Sequence, residues 1–265
     1  MNNINQLFFK DIVDYLTEGY EINTEKLTSL DLISKTYYSY IVTLDNLLDQ
    51  DIKIDDELLK HNPLSNLTEH HEICIKNLIK LYGEDSPIFK SKKKYSDLYF
   101  NELIKEKLFN FDTILSKKQF EELAINKHIP VFFIVDGIQL LKDNYPSERV
   151  KEMLKHIFSA IQMYDDITDI GEDLVNNQIT YIISKTIQNL KLDHDYYPDN
   201  KTYTHKAFFA VEELSNPEFD YINNQFTSAI TIAKEIKLLK LVDWISIINA
   251  QINDWKLQIE EIRNA

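Results

Sequence analysis

Residues 147–173 read SERVKEMLKHIFSAIQMYDDITDIGED. Val150, Leu154, Ile157 and Ile161 recur at helical spacing, so the stretch reads as a helix with an apolar face, capped by Ser147 and running to about Asn176-Asn177. Its downstream end is acidic. Asp165, Asp169 and Asp173 are spaced by four, which stacks them on one helix face about 6 Å apart. Three like charges in one stripe repel, and without a cation between them they weaken the helix. Asp166 and Glu172 add charge on the flanks, and Gln162 and Tyr164 stand where neutralising lysines could have been. Hard carboxylate oxygens in a concave site suit Mg²⁺. A solvated acidic face is the plain alternative in a chain with 43 acidic residues.

Outward from this stretch the chain reads as helices joined by short connections, with no repeat and no linker rich in Gly, Ser or Pro. Upstream, helices are expected over about Ile4 to Thr17, Thr24 to Asp51 with Thr24 as N-cap, Thr68 to Gly83 with Gly83 as C-cap, and Ser86 to Asn110. Ser116 and Gln119 form a capping box, and Pro130 opens an apolar helix from Val131 to Leu141. Downstream come Thr180 to Leu190, a polar, tyrosine-rich loop from Asp193 to Thr204, and helices over Lys206 to Leu214, Glu218 to Leu238 and Leu241 to Ile262. That predicts an all-α chain of about ten or eleven helices, one bundle domain over residues 1–265. Composition agrees. Four glycines in 265 residues are too few for a sandwich, a dinucleotide fold or a phosphate-binding loop, and six prolines leave room for long helices.

The formal charge of −14 disfavours nucleic-acid binding, which needs a basic face. An anionic substrate remains compatible, through divalent cations held by carboxylates. The lone Cys74 excludes an internal disulfide and a cysteine metal cluster, and reads as a small buried hydrophobe. No signal peptide is expected at Met1-Asn2-Asn3-Ile4, and no stretch is apolar enough for a membrane span, so the expected place is the cytoplasm.

A second acidic pair, Asp45 and Asp49, lies four apart on the helix that also carries Tyr37, Tyr38 and Tyr40. Leu44, Leu47 and Leu48 are expected to bury one side, leaving the aspartates facing a cavity; a frayed acidic helix end is the alternative. Two carboxylate pairs on two helices can hold several Mg²⁺ ions with a diphosphate between them, so that C–O cleavage needs no strong nucleophile. The resulting carbocation needs a dry aromatic pocket, and the chain has 15 Tyr, 14 Phe and 2 Trp, most of them explained equally by an aromatic core.

With those residues in view the chain resembles the class I isoprenoid synthases, and among them the squalene and phytoene synthases. Asp45-Asn46-Leu47-Leu48-Asp49 is similar to their DxxxD motif. Gln162, Asp169, Glu172 and Asp173 match their Q-x-x-N-x-x-R-D-x-x-E-D motif, with Asp165 standing where the family has Asn and Thr168 where it has Arg. The arginine usual before the first motif is replaced near Val42 or Thr43. The run from Asp165 to Asp169 is also similar to the DDxxD of head-to-tail prenyl transferases and terpene cyclases. The resemblance implies a helical bundle around a central cavity and a site with Asp45, Asp49, Asp165 and Asp169 as catalytic carboxylates. Asp166 and Asp173 join them as Mg²⁺ ligands, and Gln162, Lys127, Tyr40 and Tyr181 contact substrate. Lys127 lies in a segment similar to a cavity-facing helix of the family, and Tyr181 follows the second motif where the family often has a tyrosine. An exposed lysine and a packed tyrosine are the alternatives. Lys92, Lys93 and Lys94 read as a solvated run or a closure over diphosphate, and His70 and His71 as surface residues.

The function expected is a Mg²⁺-dependent terpene synthase acting on a prenyl diphosphate, farnesyl or geranylgeranyl diphosphate, with peripheral membrane contact compatible. A head-to-head prenyl transferase and a non-catalytic helical homologue that binds a lipid or a protein partner stay open beside it.

Overall fold

A computed structural model describes residues 8–48, 62–191 and 201–265. Among these residues the chain is all-α with no strand, as composition and periodicity predict. In chain order the helices are α1 (Ile12–Thr17), α2 (Thr24–Leu48), α3 (Pro63–Tyr82), α4 (Ile88–Glu106), α5 (Lys117–His128) and α6 (Val131–Leu141). Then follow α7 (Ser147–Thr168), α8 (Ile170–Asn176), α9 (Tyr181–Leu190), α10 (Lys201–Ala210), α11 (Glu212–Glu235) and α12 (Leu239–Asn264).

Several ends follow from local chemistry. Ser116 Oγ accepts from the Gln119 N–H at 3.3 Å while Gln119 Oε1 accepts from the Ser116 N–H at 2.9 Å, closing the expected capping box at α5. Thr180 Oγ1 accepts from the Ile183 N–H at α9. Gly83 ends α3 at φ 84, a backbone conformation that favours glycine, with its N–H on the Ile79 carbonyl.

Other ends differ from the reading. The cap of α2 is Asn23 instead of Thr24: its Oδ1 accepts from the Glu25 and Lys26 N–H groups at 2.8 and 3.3 Å. Helix α3 begins more than a turn before Thr68, because Asn62 caps it and Pro63 supplies a helical φ at the first position, where no N–H is needed. The expected first helix bends at Asp11 before α1 starts. Lys201–Thr204, expected as loop, is the first turn of α10; residues 192–200 lie outside the described residues. The expected break at Pro217 falls instead at Val211, and Pro217 sits within α11. One lost N–H near the helix start costs little against the buried Leu214, Phe219, Ile222 and Phe226 that anchor that helix.

Packing groups the helices into two compact units. Residues up to Asp97 together with Pro130–Ser147 form the first, and Leu98–Ile129 with Glu148–Ala265 the second. In the first, α2 packs along α3, and α1 and α6 pack against α2. Its core includes Phe8, Leu30, Ile33, Cys74, Leu78 and Phe133. Cys74 is fully buried, as expected of a small hydrophobe. In the second, α11 packs along α12 and α10 joins α8, α9 and α11 around Phe120, Phe158, Phe208, Phe219 and Phe226. Among the described residues no single helix is long and apolar enough to cross a membrane.

Candidate functional site

From Ile157 to Tyr164 every side chain of α7 is buried, so this helix runs through the core of the second unit and brings its acidic end to the margin of that core. The expected single helix bends at Asp169, whose φ of −100 and ψ of 3 separate α7 from α8. The i to i+4 ladder nevertheless continues. The Asp169 N–H donates to the Asp165 carbonyl and the Asp173 N–H to the Asp169 carbonyl, both at 2.9 Å. The stripe of Asp165, Asp169 and Asp173 therefore survives the bend. Asp169 is exposed, and Asp165 and Asp173 are partly buried.

Electrostatics mark Asp166 and Asp173. Burial, with the charge of Asp169 next, pushes the Asp173 carboxyl up to about 7, against the opposing pull of Lys127. Asp166 is 5% exposed, and burial raises its carboxyl well above the usual carboxylate range. It accepts a hydrogen bond from Gln162 Nε2 at 2.8 Å, which favours the charged form, as does Lys127. Tyr164, one residue before the stripe, has its hydroxyl raised by burial and then by Asp169 and Asp165. Thr168, standing at the family's arginine position, is exposed and turns its hydroxyl back onto the Asp165 carbonyl at 3.0 Å. The last turn of α5 supplies Lys127, which pairs with Glu106 at 3.2 Å and whose charge reaches Asp166 and Asp173.

Tyr181 belongs to a different constellation. Its hydroxyl bonds Glu218, and burial followed by the Glu218 charge raises it to about 12. Glu218 is 2% exposed and lies between Lys117 at 2.7 Å and Lys185 at 2.6 Å. Lys117 Nζ stands 3.5 Å from the Tyr221 ring centroid, and Tyr221 donates to Glu121 at 3.0 Å. Sequence reasoning missed this network. Its members are scattered from Lys117 to Tyr221, and none stands in a motif.

In the first unit, Tyr40 lies with its ring 5.2 Å from His71 and 5.8 Å from Tyr37. His70 and His71, read as surface residues, are partly buried and partly exposed, because α3 packs along α2 and draws that part of the helix in. Asp45 is partly buried near the end of α2, and Asp49 lies outside the described residues. The three leucines expected to bury one side there do not: Leu44 and Leu47 are partly exposed and Leu48 is 47% exposed.

As donors, Asp165, Asp166, Asp169 and Asp173 are of the hard-oxygen kind that Mg²⁺ takes. Among the described residues, however, no three His, Cys, Asp or Glu side chains are gathered closely enough to hold a metal ion as they stand.

No family model matches the chain. A similarity of 28% identity over 109 residues connects it with Lysine-specific histone demethylase 1 of Schizosaccharomyces pombe, covering 41% of this chain and 11% of that protein. A match of that extent assigns no family.

Proposed function

We propose that the chain is a Mg²⁺-dependent class I isoprenoid synthase that ionises a prenyl diphosphate, farnesyl or geranylgeranyl diphosphate, in the cytoplasm. The observation that carries the reading is the Asp165, Asp169, Asp173 stripe, continued across a bend and holding a carboxyl whose ionisation is resisted up to about pH 7. A carboxylate in that position is stabilised by a cation. Bound Mg²⁺ neutralises charge on a departing diphosphate.

The residues take these parts. Asp165, Asp169 and Asp173 supply the cation ligands. Asp166, held by Gln162, joins them as a ligand, since a bound cation favours the ionised carboxylate that burial resists. Lys127 adds a positive charge toward an anion. Asp45 and Asp49 supply a second carboxylate pair on the strength of their motif, with Tyr40 nearby in sequence. Tyr181 acts by packing and by holding Glu218. In the reaction the allylic C–O bond breaks with its electron pair leaving on diphosphate. The cation then closes a ring, loses a proton to diphosphate, or is captured by a second prenyl chain.

The acids are not gathered into a ligand set among the described residues, and that favours a second reading, a non-catalytic helical homologue that binds a lipid or a protein. One experiment separates the two. Geranyl, farnesyl and geranylgeranyl diphosphates are each incubated with the protein and Mg²⁺, and the extracts are analysed by mass. A product of one chain's mass identifies a terpene synthase, and one of two chains' mass a condensing enzyme. No product from folded protein with any of the three leaves the non-catalytic reading.

A further inference from the structure

Three consecutive lysines on α4 meet three different fates. Lys93 pairs with Asp97 at 2.7 Å on an exposed face. Lys94 is exposed, with its amine 4.9 Å from the Tyr95 ring centroid. Lys92 instead turns into the first unit. It is partly buried, its amine stands 4.6 Å from the Tyr37 ring centroid, and among the described residues no carboxylate lies within ion-pair distance of it. The chain has 43 acidic residues against 29 basic ones, so carboxylate partners are plentiful elsewhere.

Among the described residues the side chains that act directly on Lys92 are neutral. Tyr37 is hydrogen-bonded to Ser96 at 2.5 Å, and burial raises its hydroxyl far above neutral pH. Burial likewise raises the Cys74 thiol to about 11. Burial lowers His71 and the Lys92 charge lowers it further, against the opposing charge of Glu72, which is exposed and paired with Lys76 at 3.1 Å. Lys92 itself is lowered by burial. A partly desolvated ammonium among neutral groups lacks the compensation that buried charges normally have, and an anion supplies it. His71 and Tyr40, with rings 5.2 Å apart, add ring N–H and hydroxyl donors from α3 and α2. Lys92, His71 and Tyr40 are each partly exposed, so none of the three is closed off from solvent.

We propose that Lys92, with His71 and Tyr40, forms a subsite in the first unit for a phosphate-type oxyanion. Lysine suits this as a compact point charge, and the cation–π contact with Tyr37 holds the amine in place between binding events. The subsite stands independently of the enzymatic reading, because it needs neither metal nor turnover.

The test is calorimetric titration of inorganic diphosphate, and separately of farnesyl diphosphate, into the full chain at pH 7 and low salt with EDTA present. The wild-type protein binds, Lys92→Met weakens binding by about tenfold or more, Lys92→Arg retains it, and Lys93→Met leaves it unchanged. Tighter binding of farnesyl diphosphate with the same Lys92 dependence assigns the site to an oxyanion carried on a hydrocarbon. Equal binding assigns it to the free anion. Lys92→Met removes an uncompensated charge and is expected to melt no lower than wild type; Lys92→Gln gives the same comparison should it melt early. Absence of binding to wild type at millimolar diphosphate, or equal losses in Lys92→Met and Lys93→Met, overturns the proposal.

Discussion

Burial holds a proton on Asp173 until about pH 7, and it strips one from His128, which is pushed down to about 4 where its ring stacks on Phe158. These two residues drive stability in opposite directions. For Asp173 the folded value lies above the ordinary 3.8, so the folded chain keeps a proton that the unfolded chain has lost. That contribution is complete below about pH 4 and gone above about pH 7. For His128 the folded value lies below 6.5, so its contribution is complete above that pH and is lost as pH falls toward 4. The wild-type profile is flattened by their opposition, and a variant separates them. In EDTA, Asp173→Asn is expected to gain stability relative to wild type as pH rises from about 4 to 7, read as a growing difference in Tm. A difference constant across that range would contradict the burial of Asp173.

At the scale of elements, α3 and α6 meet where Gly137 faces Tyr82. A Cβ built on Gly137 would stand 2.6 Å from the Tyr82 hydroxyl, and that hydroxyl is buried without a hydrogen-bond partner. Gly137→Ala is expected to cost about 1–3 kcal/mol by crowding. Tyr82→Phe is expected to be neutral or to stabilise by about 1 kcal/mol, because it removes a buried polar group that bonds to nothing. In the double variant part of the Gly137→Ala cost should be recovered, and strict additivity of the urea midpoints would contradict the contact. Ser116→Ala should cost about 1 kcal/mol through loss of the capping box at α5. That cap was legible in the sequence because both partners lie within one turn, as were the extent of α9 and the apolar run of α6. The start of α3 was not, because Asn62-Pro63 follows a polar stretch that gives no periodicity. Pro217 misled because packing outweighed one lost hydrogen bond. The same division holds for the candidate site. Spacing by four exposed the Asp165, Asp169, Asp173 stripe, whereas Glu218 meets Lys117 across 101 positions and no local pattern encodes that.

Across the whole molecule, the proposed function asks a chain of net charge −14 to take an anionic substrate, which requires cations to mediate. The acids that would hold them lie at the end of the core helix of the second unit, and the partly buried Lys92 lies in the first. The most direct measurement is the rate of diphosphate release from farnesyl or geranylgeranyl diphosphate, with Mg²⁺ and with EDTA, by the wild-type protein and the Asp165→Asn, Asp169→Asn double variant. The prediction is release that requires Mg²⁺ and falls by about a hundredfold or more in the variant, with the far-UV spectrum unchanged. Release that ignores Mg²⁺, or a double variant as active as wild type, would contradict a cation-dependent synthase built on the α7–α8 carboxylates.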